Sequence, residues 1–145
     1  MANVYDYLRA YNIKLTQHSG MEIARGKGPF YTHTGIVLGD DPYGNSMVFH
    51  NYPGTGPSIV TLNAFRNGKS WQFTGRDSDS RDIVLLRSFL QVDKAKGYSL
   101  LDYNCHHASS LSRKGKSASH GVNNTFGVLA FVALAAMLSG GENKR

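Results

Sequence analysis

Near the start of the chain the apolar positions fall on one side of a helix. Val4, Tyr7, Leu8, Tyr11 and Leu15 recur at mostly helical spacing, which predicts a short amphipathic helix within residues 3–15. Residues 19–29 hold four glycines or prolines and read as a loop. Tyr31–Leu38 is a strand candidate, stopped by the turn cluster Gly39–Gly44, and Ser46–Asn51 returns as a second strand. The two make an antiparallel hairpin. After a turn at Tyr52–Pro57, Ser58–Leu62 and Ser70–Thr74 are further short strands, separated by Asn67-Gly68.

The period then changes. Asp79-Ser80 is placed to cap a helix whose apolar face is Ile83, Leu86 and Leu90, with Val84 beside it, and Gly97 ends it. Tyr98–Asn104 leads into a second short helix from Cys105 to Ser112. Strands followed by helices, without an internal repeat, predict an α+β body over residues 1–118 and a separate tail over residues 119–145, with the boundary inside Gly115–Asn124.

The tail carries Phe126–Leu138, a run with no polar side chain, rich in Ala and Leu and therefore helical. Thirteen helical residues rise roughly 20 Å against a hydrocarbon core of ~30 Å. A buried terminal helix, an oligomerisation helix and a membrane-inserting tail all fit. Apolar character on every face, the terminal position and the basic flanks (Arg113, Lys114 and Lys116 before, Lys144-Arg145 after) favour the membrane.

At 145 residues and 41% hydrophobic content the chain suits one domain with a modest core and excludes global disorder. A net charge of +6 favours anionic partners, but the charges are spread. Neither zinc-finger spacing nor an aromatic RNA-binding motif accompanies them, so no nucleic-acid partner is expected; a solvated basic surface and binding to lipid headgroups are the readings that remain. One cysteine suits a reducing compartment. The first residues lack the charged leader and apolar core of a signal peptide, so the expected location is cytoplasmic and membrane-associated.

That single cysteine, Cys105, lies in Asn104-Cys105-His106-His107, and His33 heads the first hairpin strand. A lone thiol and a distant histidine are candidate nucleophile and base, since such partners meet through folding. A cysteine opening a helix also sits near unpaired amides and the positive dipole end, which lowers a thiol pKa. The competing reading is an inert buried cysteine. His50, on the partner strand, is placed to orient His33 or to serve as a structural hydrogen-bond partner. Of His106 and His107 at most one faces the cleft, because adjacent helical positions diverge. A zinc site from Cys105 and these histidines matches no closed four-ligand spacing, and no cofactor is expected. His18 and His120 fall in loops and carry no signal.

These segments resemble a known family. His33-Thr-Gly-Ile-Val-Leu-Gly39, Val48-Phe-His50 and the Pro53-Gly54 turn are similar to the histidine box of the lecithin retinol acyltransferase family, especially its HRAS-like suppressor phospholipases/acyltransferases. Tyr98-Ser99, Asn104-Cys105-x-His107 and Leu111-x-x-x-Gly115-Lys116-Ser117 resemble its Asn-Cys box, and the apolar tail matches its membrane anchor in position. The likeness spans roughly residues 12–138. It implies a circularly permuted NlpC/papain-like fold, with Cys105 as nucleophile, His33 as base, His50 as third polar member, and Asn104 and His107 as supporting box residues. It further implies a Cys-linked acyl intermediate taken from phospholipid or another acyl lipid and passed to water, an amine, an alcohol or a lysolipid. The chain departs from the family pattern in Ala108, which replaces the usual Phe, in a longer gap between the histidines, and in a shorter His-to-Cys interval. Some picornaviral non-structural proteins share both boxes and the tail, so a non-catalytic viral or host membrane-bound adaptor on the same fold is the alternative. An NlpC-type cell-wall peptidase is the second.

Overall fold

The computed structural model of the chain describes residues 3–26, 32–94 and 104–116. Its elements are α1 (Val4–Ala10), β1 (Glu22–Gly26), β2 (Thr32–Asp40), β3 (Ser46–Tyr52), β4 (Gly56–Thr61), α2 (Leu62–Arg66), β5 (Trp71–Phe73), α3 (Arg81–Lys94) and α4 (Cys105–Lys114). Five antiparallel strands form one open sheet in the order β4-β3-β2-β1-β5. The class is α+β, as the alternation of periods implies.

Each sheet face carries its own core, because successive strand residues point to opposite sides. On one face Ile36, Leu38 and Phe49 pack with Val4 and Leu8 of α1, Val84, Leu85 and Phe89 of α3, and Ala108 and Leu111 of α4. On the other, Ile23, Val37 and Val48 pack around Phe65 of α2, with Trp71 and Phe73 alongside. Gly35 lets Phe65 settle there. A Cβ at that position would stand 2.8 Å from the Phe49 carbonyl and 2.9 Å from the Phe65 ring.

The hairpin of β2 and β3, the β4 strand and the start of α4 lie where the pattern predicts them. The differences have identifiable causes. The first helix is shorter than residues 3–15: Asn3 caps it, Asp6 closes the capping box, and the left-handed Asn12 (φ 57°) follows its end. The expected loop at 19–29 contains β1, whose Glu22 and Arg25 are buried, so no apolar alternation marks it. The Asn67-Gly68 turn ends not a strand but α2, five residues long and too short to show a helical period; Thr61 caps its start and the left-handed Asn67 its end.

The buried side of α3 also differs from the predicted one. Val84, Leu85, Ser88, Phe89 and Gln91 face inward, whereas Ile83 is 46% exposed. Ser88 and Gln91 belong there because their side chains hydrogen-bond Ser112 Oγ at 2.9 and 2.8 Å, and Gln91 also donates to the Ala108 carbonyl. Two satisfied polar residues inside the α3–α4 interface thus mislead an apolar count. The expected helix end at Gly97 and the tail at 119–145 lie outside the described residues.

Arg113 likewise leaves the expected basic surface. It is buried, its Nε 3.2 Å from Glu22 Oε2 and its guanidinium donating to the Asp77 carbonyl. Glu22 also accepts from Arg76 at 3.1 Å and the Thr74 hydroxyl at 2.8 Å. This carboxylate therefore joins β1, the segment after β5 and the last turn of α4. Lys114 pairs with Asp77 and Asp79, and Lys116 is exposed.

Replacing Glu22 by Gln leaves the buried Arg113 without its counter-charge. Urea unfolding is expected to show a loss of about 3–5 kcal/mol, the cost of breaking one side of a buried ion pair. A loss below about 1 kcal/mol, the range of exposed pairs, would rule this role out.

Candidate active site

The register Gly35↔His50 between β2 and β3 brings His33 and His50 to the same face of the sheet. His33 Nε2 lies 2.8 Å from His50 Nδ1, a hydrogen bond in which one ring donates and the other accepts. Both rings are buried. His33 stacks on Phe65 with centroids 5.1 Å apart, and His50 stacks on Tyr52 at 5.6 Å. Burial, reinforced by the charge of Arg25, pushes the pKa of His50 from 6.5 down to about 4. His50 is therefore a neutral imidazole at physiological pH.

Cys105 is the first residue of α4, and Asn104 is its N-cap. The Asn104 side chain accepts from the amides of His106 and His107 at 2.9 and 3.1 Å, while His107 Nδ1 accepts from the Asn104 amide at 3.2 Å. This is a capping box in which histidine takes the place usually held by Glu or Gln. It gives Asn104 and His107 a physical role that their spacing alone did not reveal: they aim the amide-rich start of the helix.

This helix start is pinned to the first residues of β2. Cys105 Sγ approaches the Thr32 carbonyl at 3.9 Å, and His106 Nε2 lies 3.0 Å from the same oxygen. The Thr34 hydroxyl donates to the Cys105 carbonyl at 3.1 Å and pairs with the Ser109 hydroxyl at 2.8 Å. Thr32 and Thr34 flank His33, so the thiol residue grips the strand on both sides of the histidine. Thr34 points toward α4, and by strand alternation the His33 ring leaves β2 on the Phe65 side. The helix start thus meets β2 at the carbonyl of Thr32, the residue before His33.

His106, not His107, faces the strand, in keeping with the divergence of adjacent helical residues. Among the described residues no group of three or more His, Cys, Asp or Glu side chains is placed to hold a metal ion, and no helix is long and apolar enough to cross a membrane. Three neighbours escaped the sequence pattern: Arg25, Tyr52 and Phe65. Arg25 stands opposite His33 in the β1–β2 register, but it sits in a segment that reads as a loop. Phe65 belongs to the short α2, and Tyr52 to an apparent turn; none of the three carried a motif.

Compared with known proteins, the chain matches no family model and no curated protein sequence.

The low pKa of His50 couples stability to pH. Between pH 6.5 and about 4 the unfolded chain binds a proton at His50 that the folded chain does not. This contribution to stability is complete above the upper limit and falls as pH drops through the window, by roughly 3 kcal/mol at its acid end. Urea titrations across that range are expected to show the decline, and His50→Gln to flatten it. An unchanged slope in the variant would assign the pH dependence to other groups.

Proposed function

We propose that the chain is a membrane-associated thiol phospholipase A/acyltransferase, with Cys105 as nucleophile, His33 as base and His50 as the residue that orients His33. The observation that carries this reading is the buried 2.8 Å His33–His50 hydrogen bond beside the very strand segment that Cys105 grips. A neutral His50 accepts the Nε2–H of His33 at its Nδ1, which leaves proton exchange with the thiol to Nδ1 of His33.

The thiol gives its proton to His33, and the sulfur attacks the ester carbonyl of an acyl lipid. The positive end of the α4 dipole stabilises the oxyanion that forms. The C–O bond breaks, the lysolipid alkoxide takes the proton from the imidazolium, and a thioester remains on Cys105. Water or an amine, alcohol or lysolipid then attacks this thioester while His33 takes up the proton; the C–S bond breaks, the departing sulfur takes that proton back from His33, and the fatty acid or acylated product leaves. The histidine strand preceding the cysteine helix fits the circularly permuted NlpC/papain-like arrangement that the sequence resemblance implies. In this reading the tail at 119–145 and the exposed Lys116 hold the protein at a cytoplasmic membrane surface, with phospholipid as both anchor and substrate.

A second reading has an observation of its own. Cys105 is only 4% exposed, and its sulfur is placed as a thiol donor to the Thr32 carbonyl. Both features suit a non-catalytic membrane-bound adaptor on the same scaffold.

Intact-mass spectrometry after incubation with phosphatidylcholine vesicles separates the two. An acyl adduct on the wild type, absent from Cys105→Ala, is the expected result, together with loss of fatty-acid release in the variant. Equal release by both proteins, with no adduct on either, would overturn the enzymatic reading and leave the adaptor.

A further inference from the structure

Arg25 is an unusual neighbour for a pair of imidazoles. It is 4% exposed, and among the described residues no carboxylate lies within ion-pair distance of it. Its Nε donates to the Phe65 carbonyl at 2.5 Å and its Nη1 to the Gly26 carbonyl at 3.0 Å. The guanidinium carbon stands 5.9 Å from the centre of the Phe65 ring. A buried cation held by neutral acceptors costs free energy, which calls for a role other than stability.

That role is legible in what Phe65 touches next. Its ring stacks on His33 at 5.1 Å and an interplanar angle of 29°, and its centre lies 6.0 Å from that of His50. The backbone of the same residue is the acceptor for Arg25. We propose that Arg25 and Phe65 form a positioning clamp for the His33–His50 pair, the guanidinium fixing α2 at Phe65 and the Phe65 ring fixing the plane of His33 against His50. The inference deepens the proposed site and rests on this pair being its proton-handling centre.

The charge of Arg25 acts in the same direction as the contact. A nearby cation disfavours a second one, so it adds to burial in keeping His50 unprotonated. Among the described residues, the other titratable groups at the pair or its strand are Tyr52 on β3 and, at the Thr32 carbonyl where α4 begins, Cys105 and His106, while α2 brings the uncharged Phe65 ahead of Arg66. Arg25 is therefore the permanent cation opposite His33 in the β1–β2 register. As a positioning residue it touches neither the sulfur nor the acyl group in the proposed chemistry.

The test uses the full chain with nitrogen-labelled histidine, without substrate. It follows two signals by magnetic resonance: the proton shared by His33 and His50, and the titration of His50. Arg25→Gln is expected to broaden or remove the shared-proton signal and to move the His50 midpoint up from about 4 toward 6.5 without reaching it, burial being the larger cause. Arg25→Lys keeps the charge but not the Nε bond, so it should disturb the shared proton more than the midpoint. Phe65→Leu should do the same. A folded Arg25→Gln protein with the wild-type midpoint and an unchanged shared-proton signal would overturn the clamp. If that variant does not fold, an unchanged signal in both Arg25→Lys and Phe65→Leu overturns it equally, and a lost signal in both supports it. Because neither signal needs turnover, the clamp and the acyl-transfer reading fail or stand separately.

Discussion

Gly35 stands opposite His50 in the ladder between β2 and β3, and that register places His33 and His50 on one face and Thr34, Ile36 and Phe49 on the other. A slip by one residue would exchange the two sets, leaving the imidazoles under α4 and the large apolar groups against Phe65. The register is secured from both sides, since each face is buried against a different set of helices. The absence of a Cβ at Gly35 then allows Phe65 to come down onto the same spot. The imidazole pair is thus a product of sheet pairing first and of local chemistry second.

Around that register the molecule buries polar groups in connected sets. Glu22 joins Arg113, Arg76 and Thr74; Ser88 and Gln91 join Ser112; Thr34 joins Cys105 and Ser109. Each set crosses between elements distant in the chain and satisfies groups that would otherwise be costly to bury. All three involve α4, the element that carries Cys105. The helix is fixed along its length, by Asn104 and Thr34 at its start, Gln91 and Ser88 in its middle and Glu22 at its end. A helix held this way is a rigid platform for a thiol, which any proton exchange with a neighbouring strand requires.

The imidazole pair spans β2 and β3, and the thiol meets β2 at the Thr32 carbonyl, next to His33. Phe65, Tyr52 and the sheet enclose the rings, and this dry setting is what makes His50 neutral. The same dryness strengthens the hydrogen bond between the rings. Arg25, across from His33 in the β1–β2 register and bonded to the Phe65 carbonyl, adds a fixed charge to that setting.

The hairpin of β2 and β3, the strand β4 and the position at which α4 begins were legible in the chain itself. Alternating and helical periods, turn glycines and asparagines act over a few residues and survive any tertiary context. Other features were not legible. β1 is hidden because Glu22 and Arg25 are polar yet buried by partners that fold in from α4 and α2. The inward side of α3 is misread because Ser88 and Gln91 find hydrogen bonds only once α4 docks. The short α2 has no period to show, although its Phe65 supports the candidate site. Local spacing determines which groups a strand or helix can present. Which of them are buried, and beside what, depends on contacts between distant segments, because only there do buried polar groups find their partners.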